Sequence, residues 1–136
     1  MPDDLILPEA VSTDSLKELF EQAYMEVSVD SDGELVVKED YLCYLRPDQD
    51  GRLILVYAVF GAAKGAQDEA KLAFVNYVND QIKLIRASVS ASGRFTFDYY
   101  IPVDGGVSSR AVVLAVRRFL SCLRQAIAAD TGNVMA

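Results

Sequence analysis

Three short turn signals constrain the fold of this chain more than any other feature. The sequence reads SDGE at 31–34, QDGR at 49–52 and ASGR at 91–94, and each signal lies between two strand-like runs. A glycine at the third position suits a three-residue hairpin loop, whose last residue is left-handed and forms a bulge. The signals therefore predict three antiparallel hairpins.

The third hairpin can be checked against its side-chain pattern, because its turn fixes the register of both strands. Pairing Ser90 with Arg94 gives one apolar face and one polar face, and the polar face includes Arg86 opposite Asp98. The apolar pairs are Val89 with Phe95, Ala87 with Phe97, and Ile85 with Tyr99. A slip by one residue would mix the two faces. The pattern predicts a hairpin from about Lys83 to Ile101.

The second hairpin is apolar on both faces when Asp48 is placed opposite Arg52. Such strands are either central and covered on both sides, or they present an apolar surface to a partner. Leu42 and Tyr44 belong to the second of these faces, so both are candidate partner-binding residues. The hairpin around Gly33 matches Val29 with Leu35 and Val27 with Val37, but it is shorter and has a weaker pattern.

Helical spacing fills the gaps between the hairpins. The first helix is predicted to follow a capping box of Ser15 and Glu18, and the second to run from Asp68 to a C-terminal cap at Asn79. The third has the strongest apolar stripe: Val112, Val116, Phe119, Leu120, Leu123 and Ile127. The predicted order is α-β-β-β-α-β-β-α. This is an α+β domain whose antiparallel sheet has about five strands, with helices packed on it.

The stretch YIPVDGGVSSRAV at 100–112 has a structural and a functional interpretation. A Gly-rich turn that opens a helix can hold a phosphate, since the first helical N–H groups lack partners. However, no Walker lysine is present, and the preceding strand belongs to an antiparallel hairpin. The stretch is instead predicted to end a strand at Pro102 and to cap the last helix with Ser108.

Charge is distributed unevenly along the chain. The net charge of −7 disfavours nucleic acid as a partner, because phosphate neutralisation needs a basic surface. Residues 1–50 have a net charge of −11, whereas residues 51–136 have +4. One half can complement the other within a subunit or across a dimer. Together with the two-sided apolar hairpin, this asymmetry predicts a homodimer.

Three arginines recur every seven residues in the predicted last helix. Arg110, Arg117 and Arg124 would form a basic stripe about 21 Å long on one face. The stripe is a candidate surface for an acidic peptide or for the acidic half of a second subunit. The alternative is an ordinary solvated helix face opposite the apolar stripe.

Several kinds of chemistry lack the residues they require. The chain has no histidine, and its two cysteines, Cys43 and Cys122, are far apart, so neither a Cys/His metal site nor histidine-activated nucleophile can be assembled. DSDGELVVKE at 30–39 partly matches a calcium loop, but its flanks read as strands where that loop requires helices. We predict no enzyme activity, no metal and no cofactor.

Length and hydropathy bound the organisation of the chain. Its 136 residues suit a single domain, with residues 1–12 and 130–136 predicted as flexible termini. The N-terminus is acidic where a signal peptide would be basic, and the longest uncharged apolar run has 11 residues, too few to span a bilayer. We therefore expect a soluble cytoplasmic protein with no membrane partner.

Residues from about Leu35 to Ala128 resemble the YbjN family of bacterial proteins. The resemblance rests on DGRLILVYAVFG, on FVNYVNDQIKLIRASVSASGRFTFDYYIPVDGG and on the final helix. It implies the fold of type III secretion chaperones, which are small, acidic, non-enzymatic and usually dimeric. Those chaperones hold partly unfolded segments of partner proteins.

Two functions follow from these observations. The first is a non-catalytic protein-binding module, with a regulatory role among the options, that holds a partner segment on apolar sheet or helix surface. The alternative is a small-molecule sensor or regulator whose sheet and helices enclose a pocket.

Overall fold

The computed structural model describes residues 4–136, which form helices and antiparallel sheets. The elements in chain order are β1 (Leu5–Ile6), α1 (Thr13–Gln22), β2 (Glu26–Val29), β3 (Leu35–Lys38), β4 (Leu42–Asp48), β5 (Leu53–Phe60), α2 (Asp68–Gln81), β6 (Arg86–Val89), β7 (Phe95–Pro102), β8 (Val107–Ser108) and α3 (Ser109–Ala128). A short 3-10 helix at Pro8–Ala10 precedes α1. The predicted alternation of helices and hairpins is confirmed.

The main sheet has six strands in the order β2-β3-β4-β5-β7-β6, and β1 pairs with β8 in a separate small sheet. The predicted α+β class with an antiparallel sheet is confirmed, with one strand more than the five or so expected. The additional strand arises because the first hairpin contributes both β2 and β3, beside β4 and β5 of the second. The edge strands of this sheet are β2 and β6.

The first and third hairpins have the predicted registers. In the third, Arg86 lies opposite Asp98, and its Nε and Nη2 atoms each donate to the carboxylate at 3.0 Å. The Ser90 N–H donates to the Arg94 carbonyl at 2.8 Å and closes the three-residue loop. In the first, Val29 lies opposite Leu35 as expected. Alternating side chains therefore specify the register of both hairpins.

The middle turn differs from the predicted three-residue loop. Gln49 and Asp50 both have positive φ, 48° and 56°, and the Gly51 N–H donates to the Asp48 carbonyl at 3.1 Å. Two consecutive left-handed residues define a type I′ turn, which matches the twist of antiparallel strands. Gly51 is buried against the backbone carbonyl of Pro8, so the turn geometry is set by packing outside the hairpin.

The first compact unit comprises the chain up to Val56 together with Tyr100–Leu120. Helix α1 packs on β2 and β3. It begins one turn earlier than predicted, because Ser12 is the N-cap and exchanges side-chain-to-backbone hydrogen bonds with Ser15 at 2.9 and 3.0 Å. The predicted box of Ser15 and Glu18 is therefore wrong. The largest fully buried side chains of this unit are Leu16, Phe20, Leu35, Val37, Leu45, Ile54, Val56 and Phe119.

The second compact unit comprises Tyr57–Tyr99 and Ser121–Ala136. Helix α2 packs on β6, and its Phe74 makes edge-to-face contacts with Phe95 and Phe97 in a cluster that also includes Phe60. Phe97 lies at the centre of this cluster, with ring centroids 5.8 Å from Phe60 and 6.4 Å from Phe74. The other buried apolar residues of the unit include Val78, Phe95, Leu123 and Ala126.

The stretch at 100–112 has the predicted structural role. Pro102 is the last residue of β7, and Gly105 and Gly106 have φ of 77° and 97° where the chain turns. The Ala111 N–H donates to the Ser108 hydroxyl at 3.0 Å, so Ser108 caps α3. One of the N–H groups that a phosphate would need is already satisfied by this cap.

Candidate partner-binding surface

The two edges of the main sheet differ in how their backbone groups are satisfied. An edge strand presents a row of N–H and C=O groups that can pair with another chain, and proteins usually block such edges. In an antiparallel pair, alternate residues direct both groups away from the neighbouring strand. The residues that do so on β6 and β2 can be identified from the hairpin hydrogen bonds.

The β6 edge is blocked at Ala87 by a side chain of α2. The Asn79 Oδ1 accepts from the Ala87 N–H at 2.7 Å, and the Asn79 Nδ2 donates to the Ala87 carbonyl at 3.0 Å. One amide thus occupies both outward backbone groups of Ala87, as a neighbouring strand would. The prediction that Asn79 caps the C-terminus of α2 is wrong. The helix continues to Gln81, and this amide binds β6 instead.

Replacing Asn79 with alanine is expected to lower the free energy of unfolding by about 1–3 kcal/mol, because two part-buried backbone groups lose their partner. The matched control is Asn76→Ala, one turn earlier on the exposed surface of α2, where a change below about 0.5 kcal/mol is expected. Urea unfolding followed by circular dichroism measures both variants. Equal losses would show that the Asn79 amide contributes nothing specific to the β6 edge.

The β2 edge, in contrast, is open. The Asp30 N–H donates to the Glu34 carbonyl at 2.9 Å, so the strand positions that bond to β3 are Glu26 and Ser28. Val27 and Val29 therefore direct their N–H and C=O groups outward. Within residues 4–136, no backbone or side-chain group hydrogen-bonds these outward groups.

Apolar side chains accompany the open β2 edge. Val29 is 44% exposed and Val27 is half-buried, although both lie on the side of β2 that faces the apolar residues of β3. Tyr24, three residues before Val27, is 97% exposed. Tyr24 follows the C-cap of α1 and has φ of 60°, a conformation for which glycine is usual at this position. The N–H groups of Tyr24 and Met25 donate to carbonyls of the last helical turn and close the helix end. These side chains give a partner apolar area beside the unpaired backbone.

Carboxylates surround the same edge. Glu26 and Asp32 are exposed in β2 and its turn, and Asp30 is half-buried. Asp30 Oδ1 also accepts the N–H groups of Asp32 and Glu34, each at 2.9 Å, so this side chain shapes the turn. The described part of the chain contains no cluster of three or more Cys, Asp or Glu side chains placed to hold a metal ion. The partial calcium-loop pattern is thus a hairpin turn.

The sequence candidates on β4 lie together on one face. Leu42 is 46% exposed and Tyr44 is half-buried, while Cys43 and Leu45 on the other face are fully buried. The Leu42 face is therefore only partly covered. Its role in partner binding stays a prediction.

The three arginines lie on α3 with exposed side chains. Arg117 Nε is 3.6 Å from Glu39 Oε1, so part of its charge is balanced within the chain. Arg110 and Arg124 also have interactions within the protein. The proposed stripe is an exposed basic face that already interacts with the chain, and its use by a partner stays a prediction.

A solvent-open groove of about 460 Å³ lies in the second unit, between α2 and the segment after α3. Its walls are mostly apolar, and the carboxylate of Asp130 already accepts the N–H groups of Val134 and Met135 at 2.9 and 3.0 Å. The groove is lined by Ala70, Ala73, Phe74, Tyr77, Ala129, Asp130, Thr131, Gly132 and Val134. It is a shallow surface feature, whereas a sensor would enclose its ligand.

Both cysteines are buried, and they form no disulfide. Burial, with a smaller contribution from the nearby Glu39 carboxylate, raises the pKa of the Cys43 thiol to about 12. Because the thiolate is the nucleophile, a thiol with this pKa is unreactive near neutral pH. Cys43 is therefore a packing residue of β4.

Residues 12–130 match the sequence model of a protein family. The matching sequence model is that of YbjN, described as "Putative bacterial sensory transduction regulator". The chain belongs to the YbjN family. Its structure is similar to that of YbjN, "a putative transcription regulator from E. coli", with a TM-score of 0.81, 14% identity, and coverage of 98% of this chain and 99% of that one. No curated protein matches the sequence significantly.

The YbjN fold is also similar to type III secretion chaperones, as predicted. A chain of the HopA1–SchA chaperone–effector complex gives a TM-score of 0.57 at 17% identity, covering 84% of this chain and 91% of that one. SycH of Yersinia pestis, solved with a stable fragment of YscM2, gives 0.56 at 13%, covering 85% and 97%. These likenesses confirm the fold.

No helix in the described residues is long and apolar enough to cross a membrane.

Sequence reasoning found the β2–β3 hairpin but missed the open edge. Edge position depends on the order of strands in the sheet, which local patterns do not encode. The available signal was Tyr24, a large aromatic residue at the end of an amphipathic helix, directly before a short strand.

Proposed function

We propose that this YbjN-family protein is a non-catalytic protein-binding module that holds an extended segment of a partner against β2. One observation carries the proposal: the outward backbone groups of Val27 and Val29 have no partner, while Asn79 closes the opposite edge at Ala87. Proteins block unused edges, so an edge left open beside exposed apolar side chains suits an incoming strand.

Each contact at this edge would contribute a modest free energy of binding, and the contributions come from hydrogen bonds and from apolar burial. Val27 and Val29 together offer two N–H donors and two C=O acceptors, and each hydrogen bond contributes about 0.5–1.5 kcal/mol net. Burial of the exposed part of Val29 and of Tyr24 would add about 25 cal/mol per Å² of apolar area. Main-chain pairing gives affinity in this mode, and alternate side chains give specificity.

The structural relatives support a protein partner. HopA1 and SchA form a named chaperone–effector complex, and the chaperone SycH was solved with a fragment of another protein. Both therefore bind protein partners with a fold that this chain shares. A regulatory role accords with the description of the family.

The remaining predictions from the sequence accompany this proposal. Leu42 and Tyr44, and the α3 residues Arg110, Arg117 and Arg124, stay predicted secondary contacts. A homodimer and a cytoplasmic location also stay predictions, as does the alternative of a small-molecule sensor.

The test is a matched pair of proline variants. Val29 and Val89 occupy equivalent positions, each as the last strand residue before a three-residue hairpin loop. Both N–H groups point away from the hairpin, so proline at either position removes an outward donor and leaves the ladder intact. Val29→Pro is expected to lose the proteins that co-purify with the tagged wild type, whereas Val89→Pro retains them. Quantitative mass spectrometry measures both.

Hydrogen exchange supplies the direct readout. The amides of Val27 and Val29 should exchange rapidly in the free protein and slowly once a captured partner is added back. Circular dichroism of each variant checks that the fold is kept. Full partner retention by a folded Val29→Pro variant, or unchanged exchange at these two amides, would contradict the proposal.

A further inference from the structure

The charge pattern around β2 indicates which partner segment the open edge accepts. Residues 13–38, from the start of α1 to the end of β3, contain seven acidic and two basic residues. Lys17 is paired with Glu21 at 3.3 Å, and Glu34 is paired with Arg46 at 3.3 Å. Of the acids left on β2 and its turn, Glu26 and Asp32 are exposed and Asp30 is half-buried, so the edge has a negative border.

The register of β2 places these charges on one face of an incoming strand. Side chains alternate across a strand, so Glu26, Ser28 and Asp30 share one face while Val27 and Val29 share the other. A segment paired with β2 would set its own residues directly opposite these five positions.

We infer that the partner of this edge is an extended basic segment. Five consecutive residues of that segment follow the order basic, apolar, small, apolar, basic. The basic residues lie opposite Glu26 and Asp30, and the apolar residues lie opposite Val27 and Val29. The pattern is symmetric about the position opposite Ser28, so it holds for parallel and antiparallel docking. This inference rests on the proposed function and names the chemistry of its partner.

A second copy of β2 does not satisfy the same pattern. Two β2 strands paired antiparallel about Ser28 would place Glu26 of each copy opposite Asp30 of the other. Like charges directly opposite one another destabilise a strand pair. The acidic border thus disfavours edge-to-edge association of two copies and favours a basic partner.

Synthetic peptides provide the test with the full chain. Three nine-residue peptides share flanking Gly-Ser residues and differ in the central five: Lys-Val-Ser-Val-Lys, Gln-Val-Ser-Val-Gln and Glu-Val-Ser-Val-Glu. Titration to millimolar peptide is followed by the NMR shifts of the Val27 and Val29 amides. The basic peptide is expected to bind roughly 2- to 30-fold tighter than the neutral one, from two cross-strand charge pairs. The acidic peptide should bind weakest.

Charge variants of the protein isolate the residues responsible. The double variant Glu26→Gln with Asp30→Asn keeps the side-chain acceptors of the turn and should abolish the preference for the basic peptide. The control Glu69→Gln with Asp104→Asn removes the same net charge from exposed positions elsewhere and should preserve it. Raising the salt concentration should also reduce the preference, since exposed charges are screened.

The outcomes separate this inference from the proposed function. Equal shifts with the basic and neutral peptides would overturn the charge inference and leave strand addition intact. An unchanged preference in the Glu26→Gln, Asp30→Asn variant would overturn it as well. If no peptide shifts either amide and Val29→Pro keeps its partners, strand addition at β2 itself fails.

Discussion

Gly51→Ala is expected to lower the free energy of unfolding by about 2–5 kcal/mol. Gly51 has φ of +83°, where an alanine is strained by about 1–2 kcal/mol. A Cβ at this position would also overlap the backbone carbonyl oxygen of Pro8 and lie 3.3 Å from the Cβ of Val11. Backbone atoms cannot rotate away as a side chain can, so the 3-10 segment must shift, which adds an overpacking cost of about 1–3 kcal/mol.

Gly33→Ala is the matched control for this prediction. Gly33 has nearly the same φ, +82°, in the corresponding place of the first hairpin, but a Cβ there meets nothing within 4 Å. Its expected loss is the conformational strain alone, about 1–2 kcal/mol. Urea unfolding of both variants isolates the contact with Pro8 as their difference. Equal losses of unfolding free energy in the two variants would contradict the prediction, because they would show that the contact between Gly51 and Pro8 adds nothing to the conformational strain.

The contrast between these two glycines shows what the sequence could and could not predict. Both lie in the same Asp-Gly signal, and the signal correctly predicted a turn at each. Only the structure shows that Gly51 is buried against Pro8, some forty residues earlier in the chain. That contact accompanies two left-handed residues, Gln49 and Asp50, which the turn signal alone did not indicate.

The sequence predicted features set by near neighbours. The register of β6 and β7 followed from alternating side chains, and the Ser108 cap followed from residues within one helical turn. The start of α1 was missed because Ser12 and Ser15 both satisfy local capping rules, and their mutual hydrogen bonds decide between them. Local rules therefore identified the elements more reliably than the exact residues that begin or end them.

The candidate site depends on features that are not local. Asn79 was interpreted as a helix cap because it lies near the end of α2, yet its amide bonds to Ala87 once β6 folds beside the helix. The open edge at Val27 and Val29 exists because β2 is the outermost strand. The YbjN structure shares this fold at only 14% identity, so the partner must be inferred from this chain's own edge residues.

Replacing Phe97 with alanine is expected to lower the free energy of unfolding by about 3–5 kcal/mol, the largest loss among these substitutions. The ring is fully buried and makes edge-to-face contacts with Phe60 and Phe74, so its removal leaves a cavity that these rigid rings cannot fill. Phe97 also lies opposite Ala87, the residue whose outward backbone groups bind Asn79. The cavity should therefore loosen the β6 edge as well.

Two further variants keep this prediction measurable if Phe97→Ala does not fold. Phe97→Leu retains most of the buried volume and should lose about 1–2 kcal/mol. Thr96→Ala, on the half-exposed opposite face of β7, should lose less than about 1 kcal/mol. Urea unfolding ranks the three, and hydrogen exchange of the Ala87 amide reports whether the β6 edge opens. A loss in Phe97→Leu no greater than in Thr96→Ala would show that the phenylalanine cluster is not the stabilising core of the second unit. Faster exchange of the Ala87 amide in the Phe97 variants would show that the phenylalanine cluster holds β6 in place against Asn79.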